Sequence, residues 1–103
     1  MAGGKASRDK GCRVEREVVA RLRLLGLEAE RVPLSGAAGG SYTGDVIVKI
    51  PGVGELEIEV KARKDGMKTY KKMIGNSDFL VTRDDREDPY VFMPWSTFAK
   101  LAS

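Results

Sequence analysis

The feature that most constrains the fold is a pair of short apolar segments joined by a tight turn. Residues 45–50 and 55–62 have the β-branched and aliphatic composition of strands, and Pro51-Gly52-Val53-Gly54 between them is a turn sequence. Apolar and charged residues alternate in the second segment. One face carries Leu56, Ile58 and Val60, and the other carries Glu55, Glu57, Glu59 and Lys61. The sequence therefore predicts a β-hairpin with one apolar face and one charged face.

Before the hairpin, the pattern is that of a helix followed by a strand. Apolar residues repeat at helical spacing from Asp9 to Leu25, and Gly26 stands where a C-terminal cap belongs. A strand is predicted at residues 27–32. The uncharged, glycine-rich segment 35–44 is predicted to be a mobile loop.

After the hairpin, the sequence predicts a short helix at 67–74, strands at 79–82 and 90–93, and a terminal helical turn capped by Ser96. The order αβββαββα predicts an α/β sandwich, three-layer-like, with a central mixed five-stranded sheet. We expect residues 1–103 to form a single domain in which residues 1–8 are flexible.

Composition limits the chemistry that is open to this chain. It has no histidine and one cysteine, Cys12, which excludes histidine general bases, His/Cys zinc sites and an intrachain disulfide. No apolar run approaches the roughly 20 residues that cross a bilayer, and the N-terminus lacks the apolar stretch of a signal peptide. We therefore expect a cytoplasmic protein with no membrane partner. Catalysis would depend on carboxylates, lysine, hydroxyls and a hard ion such as Mg²⁺ or Mn²⁺, with no small-molecule cofactor.

Asp45, Glu59 and Lys61 form a candidate metal-dependent site. Strand alternation puts Glu59 and Lys61 on one side, and the hairpin brings Asp45 towards Glu59. A divalent cation held by two carboxylates activates water and neutralises charge during phosphodiester cleavage, and a nearby lysine can orient that water. A simpler interpretation stays open for each residue. Asp45 follows a glycine and is a common turn residue, and Glu59 and Lys61 could be the solvated face of an edge strand.

Glu15 is the residue that favours the metal site over these simpler interpretations. At about 100° per residue it lies between Leu22 and Val19, inside the apolar face of the predicted helix. A carboxylate on that side needs a partner, because burying an unpaired charge is costly. A metal ion, a lysine or a salt bridge at the edge of the helix would each be a sufficient partner.

Basic residues cluster in two parts of the chain. Lys10, Arg13, Arg16 and Arg23 lie on the polar face of the predicted helix, and Arg63, Lys64, Lys68, Lys71 and Lys72 follow the acidic strand. With a net charge of +3, this density suits contacts with nucleic-acid phosphates, although it is also typical of a solvated surface. Tyr70 either stacks on bases or packs in the protein.

Taken in order, these residues resemble the archaeal-type Holliday junction resolvases, a branch of the PD-(D/E)xK nuclease superfamily. The matching pieces are Lys10-Gly11-x-x-x-Glu15-Arg16, Arg31-x-Pro33-x-Ser35-Gly36, Gly44-Asp45-Val46-Ile47, Glu57-x-Glu59-Val60-Lys61, and Arg63-Lys64-Asp65-Gly66 with Tyr70. The resemblance covers residues 7–74, and Phe92-Met93-Pro94 extends it to nearly the whole chain. Each piece alone is weak, but the ordered set is specific.

The resemblance implies the PD-(D/E)xK nuclease fold and a metal-dependent endonuclease that uses Mg²⁺ or Mn²⁺. The implied metal site consists of Glu15, Asp45 and Glu59, with Val60 included beside them. Lys61 would be the catalytic lysine, and Ser35 a hydroxyl near the scissile phosphate. Arg31, Lys10 and Arg16 would contact DNA. The clustering of basic residues adds Arg13, Arg63, Lys64 and Lys68, and Tyr70 is included as a residue that could stack on bases.

The resemblance also implies a homodimer that resolves a four-way DNA junction by paired nicks. The chain departs from the family at Gly44, where a proline is usual, and in the short segment from Tyr70 to Phe79, where archaeal members have a long helix. Such a trimmed chain would suit a viral genome, and host cytoplasm would then be its location. The alternatives are a related nuclease acting on flap, nicked or duplex DNA, and a DNA-binding module that has lost cleavage. The four intact candidate residues argue against the last.

Overall fold

The computed structural model describes the backbone of residues 3–32 and 44–103, with side chains from residue 11 onward in those ranges. The chain divides into two compact units, Met1–Ala62 and Arg63–Ser103. The first contains α1 (Gly3–Leu24), β1 (Glu28–Arg31), β2 (Val46–Ile50) and β3 (Gly54–Ile58). The second contains α2 (Lys68–Ile74), β4 (Leu80–Thr82), β5 (Tyr90–Phe92) and α3 (Trp95–Ala102). The order αβββαββα confirms the predicted order of elements.

Helix α1 begins at Gly3 and not at Asp9, because the lysine and alanine that follow the two glycines are good helix formers. The predicted cap at its C-terminus is confirmed. Gly26 has a positive φ of 85°, and the Leu27 N–H donates to the Leu22 carbonyl at 3.2 Å, which satisfies one of the last helical carbonyls. The flexibility expected for residues 1–8 stays a prediction.

The first unit is built on a three-stranded antiparallel sheet in the order β1-β2-β3. The register pairs Val46 with Ile58 and Val48 with Leu56, so the predicted hairpin is confirmed. Helix α1 contacts β1 and β2. Leu22, Val46 and Val48 have exposed fractions of 0%, 0% and 1%, and they form the best-buried part of this unit. Burial of these apolar side chains is the main stabilising contribution to it.

Strand β3 is shorter than predicted, since it ends at Ile58 and not at Ala62. The reason is Asp45, which lies opposite the end of β3 and interrupts the backbone hydrogen bonds between β2 and β3. The Val60 N–H donates to Oδ2 of Asp45 at 2.8 Å and not to a backbone carbonyl, and such side-chain acceptors compete with strand pairing. The alternation of burial nevertheless continues, with Val60 and Ala62 half-buried and Glu59 and Lys61 exposed.

In the second unit, β4 and β5 pair antiparallel, with Leu80 opposite Phe92. Helix α2 begins at Lys68, one residue later than predicted, and ends at Ile74 before Gly75, as predicted. Helix α3 begins at Trp95 after Pro94, so the prediction that Ser96 caps it was wrong. The extended backbone of Pro94, with its ring fixing φ, starts the helix one residue before Ser96.

The described strands form two sheets, one of three strands and one of two, and both are antiparallel. The mixed α/β class is confirmed, whereas a single mixed sheet of five strands is not. Every described pairing joins strands that are consecutive in the chain, and a parallel pairing would need a crossover connection. Within residues 3–32 and 44–103, no helix has the length and apolarity that crossing a membrane requires.

Candidate functional site

Asp45 lies immediately before β2 and is tied to the chain that follows β3. Its N–H donates to the Ile58 carbonyl at 2.9 Å, and its Oδ2 accepts the N–H of Val60 at 2.8 Å. Asp45 is therefore more than a turn residue, because its carboxylate fixes the path of residues 59–61. This geometry brings the predicted residues Asp45 and Val60 together.

Gly44 explains how the two ends of the hairpin approach one another. A Cβ at this position would lie 3.1 Å from the Ile58 carbonyl oxygen and 3.2 Å from Cβ of Glu57, which is closer than ordinary van der Waals contact. The Gly44 N–H also donates to Oε1 of Glu57 at 3.1 Å. The departure from the family pattern at Gly44 is thus accommodated, since this position has little room for a side chain.

Glu59 and Lys61 form an exposed ion pair beside this tie. The Lys61 Nζ lies 3.2 Å from Oε1 of Glu59, and their side chains are 65% and 55% exposed. An ion pair with this exposure contributes little to stability, typically about 0–1 kcal/mol. Both groups are therefore accessible and inexpensive to separate, which is compatible with a solvated face and equally with contact to a substrate.

The donors around Asp45 and Glu59 fit a hard divalent cation. Two carboxylates and the main-chain carbonyl of Val60 are the oxygen ligands that Mg²⁺ and Mn²⁺ prefer. In the part of the chain that the structure describes, no three acidic or thiol side chains come together as a metal-binding group. The structure thus brings Asp45 and the 59–61 segment together without Glu15.

Glu15 points to the sheet side of α1, as the helical wheel predicts, and its side chain is only 18% exposed. Its partner is Arg31 on β1, whose Nε donates to Oε1 of Glu15 at 3.0 Å. The hydrogen bond that Arg31 donates to Glu15 holds the pKa of the Arg31 guanidinium above its ordinary value, in spite of the opposing effect of burial. Of the partners considered for Glu15, the structure thus has the salt bridge.

Arg31, Arg16 and Arg23 line a groove of about 280 Å³ with Val19 and Ala20, which we call the arginine groove. Arg13 is exposed and does not line it. Sequence reasoning did not select Arg23 as a site residue. Its spacing of seven from Arg16 was the available signal, because two helical turns put both side chains on one stripe.

The remaining candidate DNA contacts of the second unit are exposed, namely Arg63, Lys64, Lys68 and Tyr70. Lys68 has a loose pair with Asp65 at 3.9 Å. The Tyr70 ring stacks on Phe92 with a centroid distance of 5.5 Å, while 43% of the residue is exposed. Tyr70 therefore packs in the protein and keeps one part open. Ser35 and the side chain of Lys10 lie outside the described residues.

Comparison with known proteins gives relatives of one kind. The model of the archaeal Holliday junction resolvase family matches residues 6–97. The crossover junction endodeoxyribonuclease Hjc of Sulfurisphaera tokodaii is 42% identical over 65 residues, which cover 63% of this chain and 44% of that protein. The protein of the same name from Sulfolobus acidocaldarius is 42% identical over 65 residues, covering 63% of this chain and 45% of that protein. The matched part is thus less than half of either relative. No solved structure matches the chain.

Proposed function

Because the chain belongs to the family of archaeal Holliday junction resolvases, we propose that it is a metal-dependent endonuclease that resolves four-way DNA junctions by paired symmetric nicks. The observation that carries the proposal is the tie between Asp45 and the 59–61 segment. The Val60 N–H lies 2.8 Å from Oδ2 of Asp45. The segment next to Asp45 carries Glu59 and Lys61, and two carboxylates with a lysine suit metal-assisted phosphodiester hydrolysis.

In this proposal, Asp45, Glu59 and the Val60 carbonyl would hold Mg²⁺ or Mn²⁺, and Glu15 would be a further ligand when it is not paired with Arg31. The bound ion supplies charge neutralisation and lowers the pKa of water. Lys61 leaves its weak pair with Glu59 and donates a hydrogen bond to the attacking water or to a phosphate oxygen. The hydroxyl of Ser35 contacts the scissile phosphate.

The proposed DNA contacts are Lys10, Arg13, Arg16, Arg31, Arg63, Lys64, Lys68 and Tyr70. Two copies of the chain related by a two-fold axis would place two sites on a nearly two-fold junction, so we include a homodimer in the proposal. The proposal includes a PD-(D/E)xK nuclease fold, which the family supports. It also includes a single domain over residues 1–103 and a place of action inside the cell. The seven-residue α2 fits the shortened segment after Tyr70.

A single cleavage assay tests the proposed activity against its alternatives. The protein is incubated with a four-way junction, a matched duplex and a flap, each with Mg²⁺, Mn²⁺ or EDTA. We expect symmetric nicks in the junction only, and none in EDTA. Equal cutting of the duplex or the flap would favour a related nuclease with another substrate. Tight junction binding without cutting in either metal would favour a DNA-binding module.

Replacement of Lys61 by methionine should lower the rate of junction cleavage by about 10²-fold, because the side chain stays unbranched and of similar length but loses its charge at the reacting phosphate. Single-turnover cleavage at saturating protein measures this rate. Lys49→Met is the matched control, since Lys49 lies in the same hairpin, is paired with Glu28 and is 61% exposed. An equal loss in both variants would show that Lys61 acts only through general charge.

A further inference from the structure

We propose that the arginine groove binds one DNA phosphate, and that this phosphate competes with Glu15 for the guanidinium of Arg31. DNA binding would then release the Glu15 carboxylate. The inference rests on the proposed function, because it takes DNA as the ligand, but it concerns binding and not cleavage. It assigns a role to Arg23. It also gives a function to the pair that Glu15 forms with Arg31 in the absence of DNA.

The shape of the groove comes from two elements of the first unit. Arg16 and Arg23 stand two turns apart on α1, and Arg31 enters from β1. Val19 is buried and Ala20 is small, so the groove residues other than the three arginines are apolar. An anion in such a groove is reached by several N–H donors at once, which is how arginine forks bind phosphate.

The charge of the groove is positive before any ligand arrives. The Arg23 Nε donates to the Ala29 carbonyl at 3.0 Å, which orients the guanidinium and leaves its charge uncompensated. Across the described side chains, neither Arg16 nor Arg23 has a carboxylate partner. Three arginines therefore line the groove, and one of them, Arg31, is paired with a carboxylate, that of Glu15. This imbalance favours the binding of an anion.

Arg31 is the group that can change partners. Its Nε donates to Glu15, while its Nη2 donates to Sγ of Cys12 at 3.2 Å. A thiol sulfur is a weak acceptor, so a phosphate oxygen would replace it with a stronger bond. A phosphate held there also repels the Glu15 carboxylate through its own negative charge. The stronger bond draws Arg31 towards the DNA, and the repulsion weakens its pair with Glu15.

Thermodynamic reciprocity makes this exchange measurable without a metal ion. If DNA weakens the Glu15–Arg31 pair, then the pair must weaken DNA binding by the same factor. Removing the carboxylate should therefore strengthen binding, and it should do so through Arg31. Any loss of negative charge also strengthens DNA binding slightly, so the test needs a charge-matched control.

The test measures the affinity for a fluorescent four-way junction and for a duplex by anisotropy in EDTA. We expect Glu15→Gln to bind about fivefold more tightly than the wild type, and Glu17→Gln, on the same helix, less than about twofold more tightly. In an Arg31→Gln background, the effect of Glu15→Gln should fall to that of Glu17→Gln. An equal effect of Glu15→Gln in both backgrounds would overturn the exchange, as would one no larger than that of the control.

The groove itself is tested through Arg23. Arg23→Gln should reduce the slope of log affinity against log salt by about one, the contribution of one phosphate contact. Arg21→Gln removes the same charge from the same helix at a residue paired with Glu17, and it should change the slope by less than half as much. Equal slopes for the two variants would exclude the groove as a phosphate site.

Circular dichroism and nitrogen-15 NMR distinguish a failure of the proposed exchange from a failure of the variant to fold. If Arg31→Gln fails to fold by circular dichroism, the arginine Nε–H signals in the nitrogen-15 NMR spectrum of the wild type replace it. Those of Arg23 and Arg31 should then shift together on adding duplex DNA, and an unmoved Arg31 signal would overturn the proposal. Because every readout is in EDTA, a protein that binds as expected but never cuts would contradict the proposed function alone.

Discussion

Replacement of Asp45 by asparagine is expected to lower the rate of junction cleavage by at least about 10²-fold, because the metal site loses a charged ligand. The amide oxygen of asparagine can still accept the Val60 N–H that Asp45 accepts at 2.8 Å. The hairpin should therefore keep its shape while the negative charge disappears. Single-turnover cleavage in Mg²⁺ measures the loss, and anisotropy in EDTA should show junction affinity within about threefold of the wild type.

The control for Asp45→Asn is Glu55→Gln, which removes one carboxylate from β3 outside the candidate site. Its cleavage rate should stay within about twofold of the wild type, because surface substitutions of this kind have small effects. If Asp45→Asn cut the junction at the wild-type rate, the assignment of Asp45 as a metal ligand would be wrong. If it lost junction binding as well, its role would be structural.

The order of the elements was predictable because it depends on local periodicity. The apolar repeat of α1, the glycine that follows it and the alternation in β3 each require only neighbouring residues. The end of β3 was not predictable, since it depends on the carboxylate of Asp45, which accepts the Val60 N–H at 2.8 Å from 15 residues away. A periodic pattern continues to residue 62, but pairing does not.

In the candidate site too, the orientation of a side chain was predictable from nearby residues, whereas its partner was not. The helical wheel predicts that Glu15 points inward, and its side chain is 18% exposed. It does not predict Arg31 as the partner, because the choice depends on the packing of β1 against α1 and lies 16 residues along the chain. Arg23 joins the arginine groove for the same reason. The sequence predicts that Arg23 lies on the same side of the helix as Arg16. It does not predict that Arg31 of β1 lies across from them.

The single mixed sheet was a prediction from fold class and not from local pattern. Strand segments do not reveal by themselves which strands will be neighbours, and β4 and β5 are only three residues each. Short strands bury little area, so local pairing with the consecutive strand is the pairing their sequence supports most directly. Tyr70 illustrates a related limit, since its stacking on Phe92 depends on a strand that lies far ahead in the chain.

Truncation of Leu22 to alanine should lower the free energy of unfolding of the first unit by about 3 kcal/mol, through lost burial and the cavity that remains. Leu22 is 0% exposed. Urea denaturation followed by circular dichroism measures the change. Leu24→Ala, on the same helix at a residue that is 87% exposed, should change stability by less than about 0.5 kcal/mol. Similar losses in both variants would mean that α1 does not pack as described.

The stability of this helix also bears on the site, because α1 carries Glu15, Arg16 and Arg23. Loss of packing at Leu22 should loosen α1 against the sheet and so weaken the bond between Glu15 and Arg31. If the exchange at Arg31 occurs, Leu22→Ala should therefore bind the junction in EDTA at least as tightly as the wild type wherever it is folded. Weaker binding by the folded variant would mean that the arginine groove needs a firmly packed α1 more than it needs a free Arg31.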